Sequence, residues 1–376
     1  MATSGIKPHP SYHIYMPAFN GGGAENAIIR LANHWLEQGI NVKLIVNQSS
    51  GPLKSKLSAN VPVITLGFKS SFANIPKLVR LLNTDTPDVL LTALLSPNVV
   101  GTIAARLSRE TVPVVALVRN QATSELAEMP SWRSFIIRPM LKAAYRSADA
   151  IGCVATPVTK DVINLFKLDP NKVTETFNPI VLPDARDLIE RPEYFPQNTT
   201  VILAIGRLVP QKDYFTVLEA FADLRKRTNA HLVVLGEGPL KSDLEIFAES
   251  LALSDHVTWA GFQTNPHAAL FHSDLFVLLS KFEGFPNVIG EALACGATIV
   301  ATDAPGGTAD ILANGLYGKL VPVGNHEAAS QAMEAALLLP SDSQQQISRA
   351  KDFSIEVIAE RYISLCTEAI KRRNNL

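Results

Sequence analysis

Short apolar runs separated by longer amphipathic stretches recur along the whole chain, and their spacing predicts strands alternating with helices. Runs of three to five mostly apolar residues occur at His13–Met16, Val42–Val46, Val63–Leu66, Val89–Thr92, Val114–Leu117 and Ala150–Val154. A second series follows at Val201–Ile205, Leu232–Leu235, Val257–Trp259, Leu275–Leu279, Ile299–Ala301 and Lys319–Val321. Such runs are apolar almost throughout rather than alternating, as parallel strands covered on both faces require. Helices fit the intervals, so the pattern reads as α/β, with one parallel sheet per series. Pro179, Pro183, Pro192 and Pro196 interrupt any period between the two series, which puts a linker at 179–198. The expected division is 1–185, 186–354 and a last helix within 355–376, from about Ile355 to Arg373.

Composition agrees with two packed, Rossmann-like domains. The chain has 376 residues, more than one core of ordinary size, and is 47% hydrophobic and 18% charged, which excludes a disordered protein. Residues 1–10 are polar with two prolines and lack the apolar core of a secretory signal. The longest apolar stretch, Val89–Ala105, is broken by Ser96-Pro97-Asn98 and falls short of the roughly 20 residues that span a bilayer. A cytoplasmic protein is expected. Cys153, Cys295 and Cys366 are too few and scattered for a disulfide framework or a zinc site, and read as buried fillers.

Charge changes the picture more than composition does. Residues 1–185 carry 18 Lys+Arg against 12 Asp+Glu, a balance of +6, whereas 186–376 carry 16 against 23, a balance of −7. The first half is therefore expected to face something anionic, although the excess is small for duplex nucleic acid and no nucleic-acid motif is present. One segment concentrates the basic residues: Trp132–Arg146 holds Arg133, Arg138, Lys142 and Arg146, no acids, and many bulky apolar residues. It suits a helix lying on an anionic membrane surface, and equally a helix packed under the sheet.

The candidate chemistry gathers behind the strand at Leu275–Leu279. Glu283 and Glu291 bracket Gly284, Phe285, Pro286, Asn287, Val288, Ile289 and Gly290, with Pro286 suited to the first turn of a helix that runs to about Cys295 before Gly296. A strand-to-helix crossing in such a sheet lies where ligands bind, and helix N-terminal N–H groups favour anions. Glu283 falls in the loop. Glu291 falls inside the helix, where a carboxylate can accept two hydrogen bonds from a diol such as a ribose, while the backbone of Phe285–Val288 faces a sugar or phosphate. Arg207 and Lys212 follow the strand that ends at Gly206, a position for fixed cations that stabilise a departing diphosphate without a metal. Gly21-Gly22-Gly23-Ala24-Glu25 follows the first strand and opens a helix, a turn through which backbone N–H groups can approach phosphate oxygens. It fails the dinucleotide fingerprint, since the third glycine would fall at Asn26, which disfavours a nicotinamide dehydrogenase.

These segments, with Gly236-Glu237-Gly238-Pro239, Ala292–Gly296 and Ala301–Thr308, resemble in order and spacing the family-four retaining glycosyltransferases, whose hallmark is E-x7-E. The branch of closest appearance acts on lipopolysaccharide cores or lipid-linked glycans. The resemblance implies the GT-B arrangement, two Rossmann-like domains facing a central cleft, with the acceptor on the first, the nucleotide-sugar donor on the second, and the last helix crossing back to the first. It implies retaining transfer of a hexose or N-acetylhexosamine from a UDP-sugar, metal-independent and with no cofactor, by a cytoplasmic enzyme at the inner face of the cell membrane. By the same resemblance Arg207, Lys212 and Glu283 are catalytic. Gly22, Gly23, Gly236, Phe262, Gly284, Phe285, Pro286, Asn287, Val288 and Glu291 join them in binding the donor. Many relatives carry a histidine after the strand at Val114–Leu117; this chain has Arg119 and Asn120 there, and these, with Asn98, are the acceptor-side candidates. A soluble protein or small-molecule acceptor, a non-catalytic sugar-nucleotide-binding paralogue and an epimerase stay open as alternatives.

Overall fold

The computed structural model describes residues 10–20 and 22–375; Gly21 and His9 lie outside the described residues. The chain divides into two compact units, one running to Pro179 and resuming at Ile355, the other from Ile180 to Ser354.

In the first unit seven parallel strands form one sheet: β1 (Ser11–Met16), β2 (Asn41–Val46), β3 (Val63–Thr65), β4 (Val89–Ala93), β5 (Val114–Val118), β6 (Ala150–Cys153) and β7 (Val173–Glu175), in the order β3-β2-β1-β4-β5-β6-β7. The second unit has six: β8 (Thr200–Ile205), β9 (Ala230–Leu235), β10 (Val257–Gly261), β11 (Leu275–Leu278), β12 (Ile299–Thr302) and β13 (Lys319–Val321), in the order β10-β9-β8-β11-β12-β13. The central strands are apolar on both faces because helices cover both; every residue of β4 and β5 is buried. All twelve strands expected from the apolar runs are present. β7 was not expected, since Val173-Thr174-Glu175 is a short, half-exposed edge strand with no apolar run to announce it.

In both sheets the strand order reverses once, between β1 and β4 and between β8 and β11. Chains leaving those strands diverge to opposite faces, and the crevice at the carboxyl ends is where such sheets bind ligands.

The boundary between units lies six residues before the expected one. The Ile180 N–H donates to the Phe353 carbonyl at 2.9 Å, a ring nitrogen of His272 pairs with the Leu188 carbonyl at 3.0 Å, and a capping box at Asp184 and Asp187 closes the short turn Ala185–Leu188. Of residues 179–198, read as a linker, all but Pro179 therefore belong to the second unit. Helix Ile355–Asn374 belongs to the first: Ile358, Ala359, Tyr362, Leu365, Cys366 and Ala369 are buried at helical spacing, and Trp35 meets Tyr362 edge-on at 6.3 Å. Arg373 Nη2 donates to Asp149 Oδ2 at 2.9 Å and ties the end of that helix down. With these boundaries the charge contrast sharpens, to 22 Lys+Arg against 14 Asp+Glu in the first unit and 12 against 21 in the second. The three cysteines are free and buried, and burial pushes the thiols of Cys153 and Cys295 up to about 12. Among the described residues no helix is long and apolar enough to cross a membrane.

Candidate active site

The carboxyl ends of β8 and β11, the two strands flanking the reversal in the second sheet, bring the expected catalytic residues together. After β8 the chain turns through Arg207 and a short 3-10 segment, Pro210–Lys212, into helix Tyr214–Arg225; after β11 it runs through Ser280 to Glu283 and then into helix Asn287–Ala294. Backbone and side chain zip the two loops: the Lys281 N–H donates to the Gln211 carbonyl at 2.8 Å, and Gln211 Nε2 to the Phe282 carbonyl at 2.9 Å.

This pairing sets Lys212 against Glu283. Lys212 Nζ donates to Glu283 Oε1 at 2.5 Å, and the Ser280 hydroxyl donates to the same oxygen at 2.6 Å. Glu283 is 8% exposed, so it is a buried carboxylate held by one cation and one hydroxyl, a pair whose charges need each other. Tyr214 stands nearby, its phenol donating to the Gly206 carbonyl at 3.1 Å; burial first, and then the Glu283 charge, raise its pKa and keep it neutral. Arg207 is exposed and pairs with no carboxylate among the described residues, which leaves its guanidinium available to an anion.

The loop after β12 supports Glu283 from behind. The Glu283 N–H donates to the Pro305 carbonyl at 2.9 Å and the Gly307 N–H to the Gly284 carbonyl at 2.9 Å. Gly306, at φ 131°, lies so close that a Cβ there would stand 1.5 Å from the Glu283 carbonyl oxygen, so no other residue fits. Thr302 Oγ1 donates to the Ser280 carbonyl at 2.6 Å. Ser280, Gln211, Thr302 and Gly306 were not among the residues predicted; Thr302 and Gly306 stand within Ala301–Thr308 and Gln211 next to Lys212, but none shows a role without knowing which loops meet.

The remaining donor-side candidates divide. Glu291 is half-buried, midway along helix Asn287–Ala294, which starts one residue later than expected, with Pro286 as its N-cap. The Phe285 side chain packs edge-on against Phe353, ring centres 5.6 Å apart, so only its backbone can face a ligand. Gly236 ends β9 with a backbone that excludes any side chain, a Cβ there lying 1.9 Å from the Gly206 carbonyl oxygen. Its N–H donates to the Gly261 carbonyl at 2.8 Å, and next in sequence Phe262 is 69% exposed, so it is not core. Gly22 and Gly23 lie in the first unit, as the N-cap and first residue of helix Gly23–Glu37.

The acceptor-side candidates fare differently. Asn98 is a structural residue: its Oδ1 accepts from Thr92 Oγ1 at 2.8 Å, and its Nδ2 donates to the Leu117 carbonyl at 3.0 Å. Being 1% exposed, it cannot reach an acceptor, a correction whose cause is that the helix after β4 turns it inward. Arg119 is also buried, donating from Nη1 to Asn178 Oδ1 at 2.7 Å and to the Tyr362 hydroxyl at 2.8 Å, which joins β5 to the C-terminal helix. Asn120 is exposed and donates to Glu125 Oε1 at 2.9 Å.

Two parallel-sheet units of this order have the architecture of the GT-B class, and the family matches make the chain a glycosyltransferase. Residues 185–353 match the family model for glycosyl transferases group 1 and residues 21–182 that for glycosyltransferase family 4, and the chain belongs to these families. It is 28% identical, over 86% of its length and 89% of the relative's, to an N-acetylgalactosaminyltransferase of Campylobacter jejuni named for a diphospho-undecaprenol-linked substrate. It is 25% identical to the lipopolysaccharide core biosynthesis glycosyltransferase LpsE of Rhizobium meliloti, over 92% of this chain and 95% of that one. Among solved structures, a glycosyltransferase of Rickettsia africae superposes with a TM-score of 0.81 at 16% identity, over 97% of this chain and all of that one. Anabaena HepE, solved with UDP, superposes with a TM-score of 0.79 at 17% identity, over 94% and 98% of the two chains.

Proposed function

We propose that the protein transfers a hexosyl or N-acetylhexosaminyl group from a UDP-sugar to a lipid-linked glycan or lipopolysaccharide acceptor, with retention at the anomeric carbon. The observation that carries this reading is the buried Lys212–Glu283 pair, with the exposed Arg207 in the same loop as Lys212, at the point where the second sheet reverses. Arg207 and Lys212 would hold the donor diphosphate, Glu291 the ribose, Phe262 and the Gly236 turn the base, and Glu283 the transferred sugar with the backbone of Gly284–Val288.

In the step proposed, the bond from the anomeric carbon to the diphosphate oxygen breaks as the acceptor hydroxyl oxygen bonds the same carbon on the same face. The hydroxyl proton passes to the leaving diphosphate, whose growing charge the two cations neutralise. The relatives named for lipid-linked and lipopolysaccharide substrates support the acceptor class, and UDP in HepE supports the donor.

A membrane surface is the partner this acceptor class implies, at the cytoplasmic face where the nucleotide donor would be met. Helix Ser131–Ser147 supports it: Trp132, Phe135 and Ile136 are 67%, 83% and 53% exposed, beside Arg133 and Arg138. A helix packed under the sheet would bury those side chains; this one buries only Leu141, Ala144 and Tyr145.

The test is UDP release from a panel of UDP-sugars, with and without undecaprenyl-diphosphate-linked glycans. One UDP-hexose or UDP-N-acetylhexosamine should be turned over, and faster with the lipid-linked acceptor than with free sugars. Equal stimulation by free sugars would favour the soluble-acceptor reading; binding of UDP without turnover of any donor would favour a non-catalytic paralogue.

A further inference from the structure

The first unit holds a cavity of about 500 Å³ at the carboxyl ends of β1, β2 and β4, astride its own reversal point. The size is that of a small-molecule site. Its floor is fixed in advance: Asn47, after β2, accepts from the Tyr15 hydroxyl at 2.8 Å and from Asn74 Nδ2 at 2.9 Å, and donates to Ser71 Oγ at 2.8 Å. Asn47 and Ser71 both line the cavity, with apolar walls from Phe72, Leu95 and Pro97. A pyranose needs this mixture, hydrogen-bonding groups for its hydroxyls and apolar surface for its C–H faces.

The charges lining the cavity narrow the choice. Lys69 and Arg133 both border it, and neither side chain has an ion-pair or hydrogen-bond partner among the described residues. The acid on the wall, Glu125, already receives Asn120 Nδ2 at 2.9 Å, and burial above all, then its neighbour Glu128, raises its pKa against that hydrogen bond. Two unpaired cations therefore outweigh one engaged carboxyl group. A carboxylate or phosphate would accept charge-assisted hydrogen bonds from both, stronger than those a neutral sugar's hydroxyls would accept.

We propose that this cavity receives the acceptor's terminal sugar and that this sugar is acidic, bearing a carboxylate or a phosphate ester held between Lys69 and Arg133, with Glu125 accepting from a ring hydroxyl. The inference rests on the glycosyltransferase reading above and names the substrate class for its acceptor side. Asn120 acts here as a positioning residue, through Glu125.

The experiment is a calorimetric titration of the full chain at low salt with methyl α-D-glucuronide, glucose 6-phosphate, methyl α-D-glucoside and inorganic phosphate. It is repeated on Lys69→Gln/Arg133→Gln, whose two sites border solvent and whose fold is checked by circular dichroism. One or both anionic sugars should bind about tenfold or more tightly than the neutral glucoside, the preferred arm naming the substituent, and the double variant should lose that preference while UDP binding is unchanged. Equal binding of acidic and neutral sugars, a preference that survives in the double variant, or phosphate binding as tightly as either acidic sugar would overturn the proposal. Loss of UDP binding in the wild type would instead strike the glycosyltransferase reading on which it rests.

Discussion

At the scale of single residues, the site is a set of charges that only the right loop pairing brings together. Glu283 is buried against one cation and one hydroxyl, so Lys212→Ala should do two things at once. It should remove a donor to the leaving group, lowering turnover by roughly tenfold to a thousandfold. It should also leave a buried carboxylate unpaired, lowering stability by about 3 kcal/mol or more in thermal or urea melts. Arg207→Ala separates the two effects: Arg207 is exposed and unpaired among the described residues, so turnover should fall by a similar factor with the melting curve unchanged. Activity abolished by EDTA and restored by a divalent ion would contradict charge neutralisation by these two side chains. Behind Glu283, Gly306→Ala must move backbone, because its Cβ would overlap the Glu283 carbonyl. It should cost more turnover than Ser280→Ala, which removes one hydrogen bond worth about 1 kcal/mol; the reverse ranking in kcat would discount the loop after β12 as the support.

At the scale of elements, apolar runs located every strand that crosses the middle of a sheet, because burial on both faces writes itself into consecutive residues. They missed β7, whose Val173-Thr174-Glu175 is an edge. The four donor-side candidates Arg207, Lys212, Glu283 and Glu291 were legible since they follow strands in recognisable motifs. The supports were not, since Gln211 and Phe282, 71 residues apart in sequence, meet only because β8 and β11 are neighbours. Asn98 was misplaced because position after a strand does not say which way a helix turns a side chain. Helix Ser131–Ser147 shows the same limit, its sequence suiting both a packed helix and one on a membrane surface; the structure buries Leu141, Ala144 and Tyr145 and leaves Trp132, Phe135 and Ile136 exposed. Phe135→Ser with Ile136→Ser should therefore leave the melting temperature unchanged and release the protein from anionic vesicles. Its cations should make wild-type binding weaken with salt, at about 1 kcal/mol per cation near the surface. Wild type that ignores such vesicles at low salt would remove the membrane from the account.

At the scale of the whole molecule, two parallel-sheet units of opposite charge are stabilised by cores with few ionisable groups inside, and His13 is the clearest exception. It is fully buried in β1, with Asp85 Oδ2 at 3.7 Å from Nε2 and Lys43 nearby, and burial holds its pKa down to about 4, against Asp85, which favours the charged ring. The unfolded chain takes up this proton near pH 6.5 and the folded chain only near 4. Stability carried by the neutral ring is thus complete above about pH 6.5 and is lost as pH falls toward 4, to a total on the order of 3 kcal/mol. Urea midpoints measured from pH 7 to 4.5 should fall more steeply for wild type than for His13→Leu, and parallel slopes would exclude His13 as the cause.

The central claim is that the second unit holds a nucleoside diphosphate sugar at the ends of β8 and β11, with Glu291 on the ribose and Arg207 on the diphosphate. Calorimetric titration of UDP into wild type, Glu291→Ala and Arg207→Ala tests it most directly, since it needs neither the donor sugar nor the acceptor. Wild type should bind UDP, with each substitution weakening binding by about 1 to 3 kcal/mol. Wild type that does not bind UDP, or affinity unchanged in both variants, would contradict the account.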